Sequence, residues 1–245
     1  SLTGNATLTP VLEDAVEPIG ETVANIFSEL FSDLDESQSL DGVAINVNTA
    51  VSNEGDWQYS TDAGANWFNV GAVSDSAALL LNSESLIRFL PEANFNGDPG
   101  KLSAYAIDSS NALTFTNGDD EKYFNTLSDS DISSPVSSTT ADLVTTVTSV
   151  NDLPIANDDD FGLNENSTIA GNVLDDNDNG IDFDPDGDTL TIVDIETARV
   201  SAQNGITLPS GATLDIDIAG NFSYDTNGAF DYLAPGETYT DSFVY

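Results

Sequence analysis

Polar and apolar residues alternate along this chain in short runs, the period of half-buried β-strands. Val43-Ala44-Ile45-Asn46-Val47, Leu86-Ile87-Arg88-Phe89-Leu90, Leu143-Val144-Thr145-Thr146-Val147 and Thr189-Leu190-Thr191-Ile192-Val193 are the clearest cases. Turn-forming Gly, Asn, Asp and Ser lie between them, so the pattern predicts an all-β fold. One stretch competes for helix. Over 21–34, Val23, Ile26, Phe27, Leu30 and Phe31 recur at spacings of three and four, which predicts a short helix. The segment from Ser109 to Ser138 maps onto no strand pattern.

A boundary falls at Thr148-Ser149-Val150-Asn151-Asp152-Leu153-Pro154. A β-branched run ends there in Asn-Asp and then Pro, followed by Asn157, Asp158, Asp159 and Asp160. A flexible tether would be rich in Gly and Ser instead. This divides the chain into a first domain over 1–150, with its helix near 21–34, and a second over 151–245. The halves repeat each other weakly. Gly55-Asp56-Trp57-Gln58-Tyr59 matches Gly220-Asn221-Phe222-Ser223-Tyr224, an aromatic-x-aromatic strand running into a turn. Leu102 to Asp108 matches Asp241 to Tyr245, and the first half then adds a closing strand that the second lacks. The second domain is therefore expected to be incomplete at its C-terminus, by truncation or by an insertion in a longer parent, with an open sheet edge. Ser1 is not an initiator, and the chain reads as an excerpt of a longer polypeptide.

Charge changes the picture. The 245 residues hold four Lys and Arg against 43 Asp and Glu, with no His, Cys or Met, for a net charge of −39. Nucleic acid is excluded as a partner, because phosphate contacts need cations. Anionic membrane is disfavoured for the same reason, and no apolar run is long enough for direct membrane insertion. Self-repulsion of this size opposes compaction, and bound divalent ions would relieve it.

The acids are clustered, most densely over Asp175 to Asp188. Hard oxygen ligands at alternate positions, with Gly at the bends, suit Ca²⁺. Asp182, Asp184, Asp186 and Asp188 are the leading candidate ligands, followed by Asp176 and Asp178. The loop is not an EF-hand, since its twelfth position is Val193 and a strand signal follows. Glu13, Asp33, Asp35 and Asp108 are further candidates in the first half, and Asp158 and Glu165 in the second. Six to eight oxygens at about 2.3–2.6 Å must converge on each ion. Against this stands a plainer role for the same residues, as Asp and Asn capping local turns. Adaptation to salt is the plainer account of the overall charge.

Other features are less informative. Trp57, Tyr59 and Trp67 could form a carbohydrate-stacking platform, although Trp57 and Tyr59 share one face of a strand and so suit a core. Arg88, in an apolar strand, suggests a partly buried ion pair, and Lys101 a further pairing with acids. Without His or Cys the commonest general bases and thiol nucleophiles are gone, and an enzyme is not expected.

Several motifs together resemble the cadherin-like or VCBS-like tandem repeats of giant bacterial RTX adhesins secreted by the type I route. In the second half they are Ala156-Asn157-Asp158-Asp159, Glu165-Asn166, Gly171-Asn172-Val173-Leu174-Asp175, Asp184-Pro185-Asp186-Gly187-Asp188-Thr189-Leu190, Gly220 to Tyr224 and Asp241 to Tyr245. The first half is similar to a companion repeat, through Leu12-Glu13-Asp14, Gly55 to Ser60, Leu86 to Pro91 and Val150 to Pro154. The resemblance implies two Ig/cadherin-like β-sandwich domains in tandem, with several Ca²⁺ ions at or near the joints. Asn151 and Asp152 stand where the cadherin-like linker places ligands. It also implies an extracellular address, on the surface of a Gram-negative bacterium. There the chain would serve as a Ca²⁺-rigidified extender supporting adhesion and biofilm formation. Its partners would be neighbouring repeats of the same polypeptide, with a host-cell or surface glycan or protein met through adjacent domains. A glycan- or protein-binding module is the alternative.

Overall fold

The computed structural model describes residues 1–33, 38–110, 113–119, 123–124, 135–195, 198–199 and 203–245. Asp35 and much of the stretch from Ser109 to Ser138 lie outside the described residues. The chain divides into two compact units, Ser1–Val150 and Asn151–Tyr245.

The first unit is built on β1 (Ala6–Thr7), β2 (Val11–Leu12), β3 (Glu21–Thr22), helix α1 (Val23–Phe27), β4 (Leu40–Asn48), β5 (Gly55–Ser60), β6 (Phe68–Asn69), β7 (Ala78–Asn82), β8 (Leu86–Pro91), β9 (Leu102–Asp108), β10 (Tyr123–Phe124), β11 (Val136–Val144) and β12 (Val147–Thr148). One sheet has the order β1-β11-β9-β4-β7-β10, a second β3-β8-β5-β6, and β12 pairs with β2. Inward side chains of both sheets meet in one core that includes Val43, Ile45, Trp57, Tyr59, Ile87, Phe89, Leu102 and Leu143. This is the facing-sheet arrangement of a sandwich.

Strand β4 departs from simple alternation, with Gly42 to Asn46 all buried. The reason is a second apolar cluster on its other face, where Ala44 packs with Ala78, Leu80, Ile107 and Val136. A strand covered on both faces has no polar side to alternate with. Two pairings are parallel, β1 with β11 and β2 with β12. The predicted strand Leu143–Val147 is thus two, broken at Thr145 and Thr146 where the chain leaves one ladder for the next.

The helix is shorter than the 21–34 spacing predicts. Thr22 caps it, its hydroxyl accepting from Asn25 N–H at 3.2 Å. Val23, Ile26 and Phe27 are buried, and Leu30 and Phe31 pack against the same core. The side-chain pattern is therefore the helical one, but the backbone after Phe27 is drawn elsewhere. Thr3 N–H donates to Leu30 O and Ser32 N–H to Ser1 O, so the N-terminal residues, through the isolated bridge of Leu2 with Phe31, take those groups.

The second unit holds β13 (Thr168–Asn172), β14 (Asp194–Ile195), β15 (Ala198–Arg199), β16 (Gln203–Thr207), β17 (Thr213–Ile216) and β18 (Asn221–Asp225). Its main sheet runs β13-β18-β17-β16, and β14 pairs with β15. Leu214, Ile216, Phe222 and Tyr224 build its core with Val173, Ile192 and Phe230. The expected strand Thr189–Val193 does not form a ladder. Ile192 is buried and Val193 is 63 % exposed, so the side chains alternate as a strand's would. Yet the backbone bond made there is Ile192 N–H to Ile218 O, and pairing begins at Asp194. Asp241–Tyr245 likewise turns Phe243 and Tyr245 inward and exposes Val244 without joining the sheet.

Candidate functional site: an oxygen-rich face of the second unit

Residues 157–160 and the acidic loop lie against each other. Asp158 and Asp160 are exposed, whereas Asn157 and Asp159 are half-buried. Extended backbone alternates its side chains, so the inward pair is the one that meets the loop. Asn157 N–H donates to Asp182 Oδ1 at 2.7 Å, and its amide donates to Ile181 O at 2.8 Å. Asp159 Oδ1 accepts from Asn177 Nδ2 at 2.8 Å. Asp182 is 6 % exposed, which marks it off from the other acids of the loop. Burying a carboxylate is costly unless it is well partnered.

The Tyr245 hydroxyl reaches into this contact. It stands 2.8 Å from Asp159 Oδ2, 2.9 Å from Val173 O, 3.1 Å from Asn157 O and 3.2 Å from Asp182 Oδ2. Burial, followed by the two carboxylates, pushes the phenol's pKa well above the ordinary tyrosine range. The hydroxyl therefore stays protonated at neutral pH.

The other loop acids are engaged locally. Asp184 Oδ1 accepts from Asp186 N–H at 2.9 Å and Asp188 N–H at 3.4 Å. Asp186 Oδ2 accepts from Asp152 N–H at 2.7 Å. Asp176 Oδ1 accepts from Gly180 N–H at 3.1 Å. Asp178 is exposed in a left-handed conformation, φ 80°. Asp188, Asp158 and Glu165 are exposed. Asn151 is exposed too, its amide donating to Asp152 O. These are the turn-capping roles open to Asp and Asn in any loop.

In the first unit Glu13 is almost fully buried, at 2 % exposure. Its carboxylate accepts from Val150 N–H and, at 3.1 Å, from Asn96 Nδ2. Asp33 lies at the end of the α1 connection, and Asp108 ends β9, accepting from Ser110 N–H and its hydroxyl. Neither comes together with Glu13 in any group of three carboxylates able to hold a metal, and the described residues contain no such group. The donor chemistry, oxygen throughout and negative, nonetheless suits a hard cation.

The aromatic platform is not available. Trp57 and Tyr59 are both 1 % exposed. Trp57 Nε1 donates to Gly100 O, and the Tyr59 hydroxyl donates to Gly118 O. Arg88 is buried as expected, but its hydrogen-bond partners are neutral. Nε donates to Gln58 Oε1, Nη1 to Pro18 O, and the guanidinium lies 4.0 Å over Trp67. Desolvation lowers its pKa, against a smaller opposing influence of Glu17. Lys101 does pair with an acid, Asp142.

Asp159, the Asn157 and Val173 carbonyls and Tyr245 are the parts of this face missing from the sequence-derived ligand set. The inward–outward alternation over 157–160 could have preferred Asp159 to Asp158. Nothing in the sequence aims a backbone carbonyl or a distant phenol at the same point.

A family model described as a bacterial Ig domain matches residues 151–245, the whole second unit. With the observed sheets, the match makes this an Ig-like β-sandwich. Domains of this kind are commonly repeats of extracellular surface proteins and are typically non-enzymatic. No curated protein and no solved structure matches the chain. Among the described residues no helix is long and apolar enough to cross a membrane.

Proposed function

We propose that this chain is a structural extender of a bacterial cell-surface adhesin, stiffened by Ca²⁺, which holds ligand-binding domains away from the cell and so supports adhesion and biofilm formation. One observation carries the reading. The stretch 150–157 is tied repeatedly to carboxylates, Val150 N–H to Glu13, Asp152 N–H to Asp186 and Asn157 N–H to Asp182. The first of these bonds lies within the first unit and the other two within the second, so each unit holds its own end of the segment through carboxylates that a cation would compete for. The likeness of the second unit to bacterial Ig domains supports a repeat role, and the burial of Trp57 and Tyr59 weighs against glycan stacking.

Bound Ca²⁺ would supply positive charge and strong oxygen coordination. Glu13 in the first unit, and Asn151, Asp152, Asp182, Asp184 and Asp186 in the second, are the oxygen-bearing residues that would take it in this reading. Left to themselves, these carboxylates repel one another and satisfy nearby amides instead. Binding confined to the folded state adds about 3 kcal/mol per site at a hundredfold excess over Kd, or several degrees in Tm. The test is thermal unfolding of the chain in EDTA, in millimolar Ca²⁺ and in Mg²⁺, followed by small-angle scattering in each. A rise selective for Ca²⁺, with a narrower distribution of dimensions, is expected. An equal rise with any salt, or none, would overturn the Ca²⁺ mechanism and leave salt adaptation as the account of the acidity.

A further inference from the structure

Asparagine is followed by glycine five times in this chain, at Asn96, Asn117, Asn179, Asn204 and Asn227. Such a pair carries its own reaction. The glycine nitrogen loses its proton, attacks the asparagine Cγ and closes a five-membered succinimide. The side-chain nitrogen leaves as ammonia, taking up a proton in place of the one lost. Water then opens the ring at either carbonyl, giving Asp or its β-linked isomer. No oxidant or cofactor is needed, only a free attacking nitrogen and a peptide able to rotate. Glycine eases the rotation, having no Cβ to obstruct it.

Folding withdraws that nitrogen at four of the five. Gly97 N–H donates to Val147 O at 2.9 Å, Gly118 N–H to Thr61 Oγ1 at 2.8 Å, Gly180 N–H to Asp176 Oδ1 at 3.1 Å and Gly205 N–H to Asp215 Oδ1. Gly228 N–H has no acceptor among the described residues. The turn it sits in explains this. Ala229 N–H donates to Thr226 O at 2.8 Å, and Asn227 and Gly228 between them have φ 49° and 70°. Positive φ at both central positions, filled by Asn-Gly, is the type I′ pattern. Its closing bond uses the N–H of the fourth residue and leaves that of the third outside. Both central residues are exposed. The Asn227 amide reaches only Gly211 O, at 3.5 Å, the outer limit of a hydrogen bond. We propose that Asn227 is a site of spontaneous deamidation in the folded chain, ahead of the other four pairs, with water as the only co-reactant. The product sets a new carboxylate beside that of Asp225, which already accepts the Asn227 N–H at 2.8 Å. The β-linked isomer also lengthens the turn backbone by a carbon, between buried Thr226 and buried Phe230.

A bonded N–H must be released before it can attack, which slows its pair about fivefold or more relative to a free one. The 245-residue chain is held folded in mildly alkaline buffer, sampled over weeks and cut before its Asp residues. That cleavage isolates residues 225–230, in which Asn227 is the sole Asn. Mass spectrometry reads the change from amide to acid at each site, and an isoaspartyl methyltransferase assay reads the isomer. In the native chain Asn227 should lose its amide at least about fivefold faster than any other Asn-Gly pair, and faster still as pH rises and base frees the nitrogen. In concentrated urea the five rates should converge, because the hydrogen bonds that set them apart are gone. Equal native rates, or a faster pair elsewhere, would overturn the proposal. So would a lead at Asn227 that persists in urea, since local sequence and not the fold would then be its cause.

Discussion

Gly55 opens β5 and Gly220 immediately precedes β18, and the reason for glycine is the same in both. Gly55 has φ +126°, and a Cβ there would lie 2.2 Å from Leu90 O. Gly220 has φ +83°, and a Cβ would lie 2.5 Å from Asn172 Oδ1. Conformation alone should make Gly55→Ala cost roughly 1–3 kcal/mol, with the clash adding to it. Urea unfolding checks this, and an unchanged midpoint would contradict it. Trp57 is a second such residue. Fully buried, edge-on to Phe89 and bonded to Gly100 O, it should cost about 3–5 kcal/mol when replaced by Ala.

Asp142 gives a pH prediction. Its hydrogen bonds from Lys101, then Ser103, hold its pKa below the ordinary 3.8. A carboxyl depressed in the folded state contributes stability above its unfolded pKa and loses it as pH falls through the folded one. The contribution should therefore fade below about pH 4, and Lys101→Met should flatten that part of the profile. At this scale the sequence was readable where side-chain chemistry is local. The shared face of Trp57 and Tyr59 pointed to a core. The neutral partners of Arg88 were not readable, because Pro18 O and Gln58 reach it only through the fold.

Elements follow their side-chain patterns more faithfully than their backbones do. The three-and-four spacing after Glu21 gave the buried face of α1 correctly, but not its length, because Leu30 O is claimed by Thr3. Replacing the cap, Thr22→Ala, should cost about 1 kcal/mol, measured by chemical denaturation. A loss near zero would show that packing of Val23, Ile26 and Phe27 holds the turn unaided. Thr189–Val193 makes the complementary point. Alternation records which side chains meet the core, whereas a ladder also needs a partner strand in register, and one run of residues cannot reveal its partner. The oxygen-rich contact around the Tyr245 hydroxyl was hidden for the same reason, since its oxygens come from positions 157, 159, 173, 182 and 245.

For the whole molecule, the charge of −39 sets the response to solution conditions. Monovalent salt shortens the Debye length to about 3 Å at 1 M and should raise Tm by screening. Because that gain is nonspecific, it should level off as salt accumulates. A further Ca²⁺-dependent rise in high NaCl would separate coordination from screening, and its absence would favour salt adaptation.

The parallel pairing in the first unit bears on how such a unit responds to force. Leu8, Val11 and Glu13 donate N–H bonds to Val144, Thr146 and Thr148, and Val150 returns one to Glu13. The first and last strands of the unit thus run side by side in the same direction. A pull on the two chain ends slides these strands lengthwise past each other. All the bonds between them then share the load at once, where an antiparallel hairpin pulled from its open end would give way one bond at a time. Tension along the chain would meet this ladder as a lock in shear, with the Glu13–Val150 bond as its last rung.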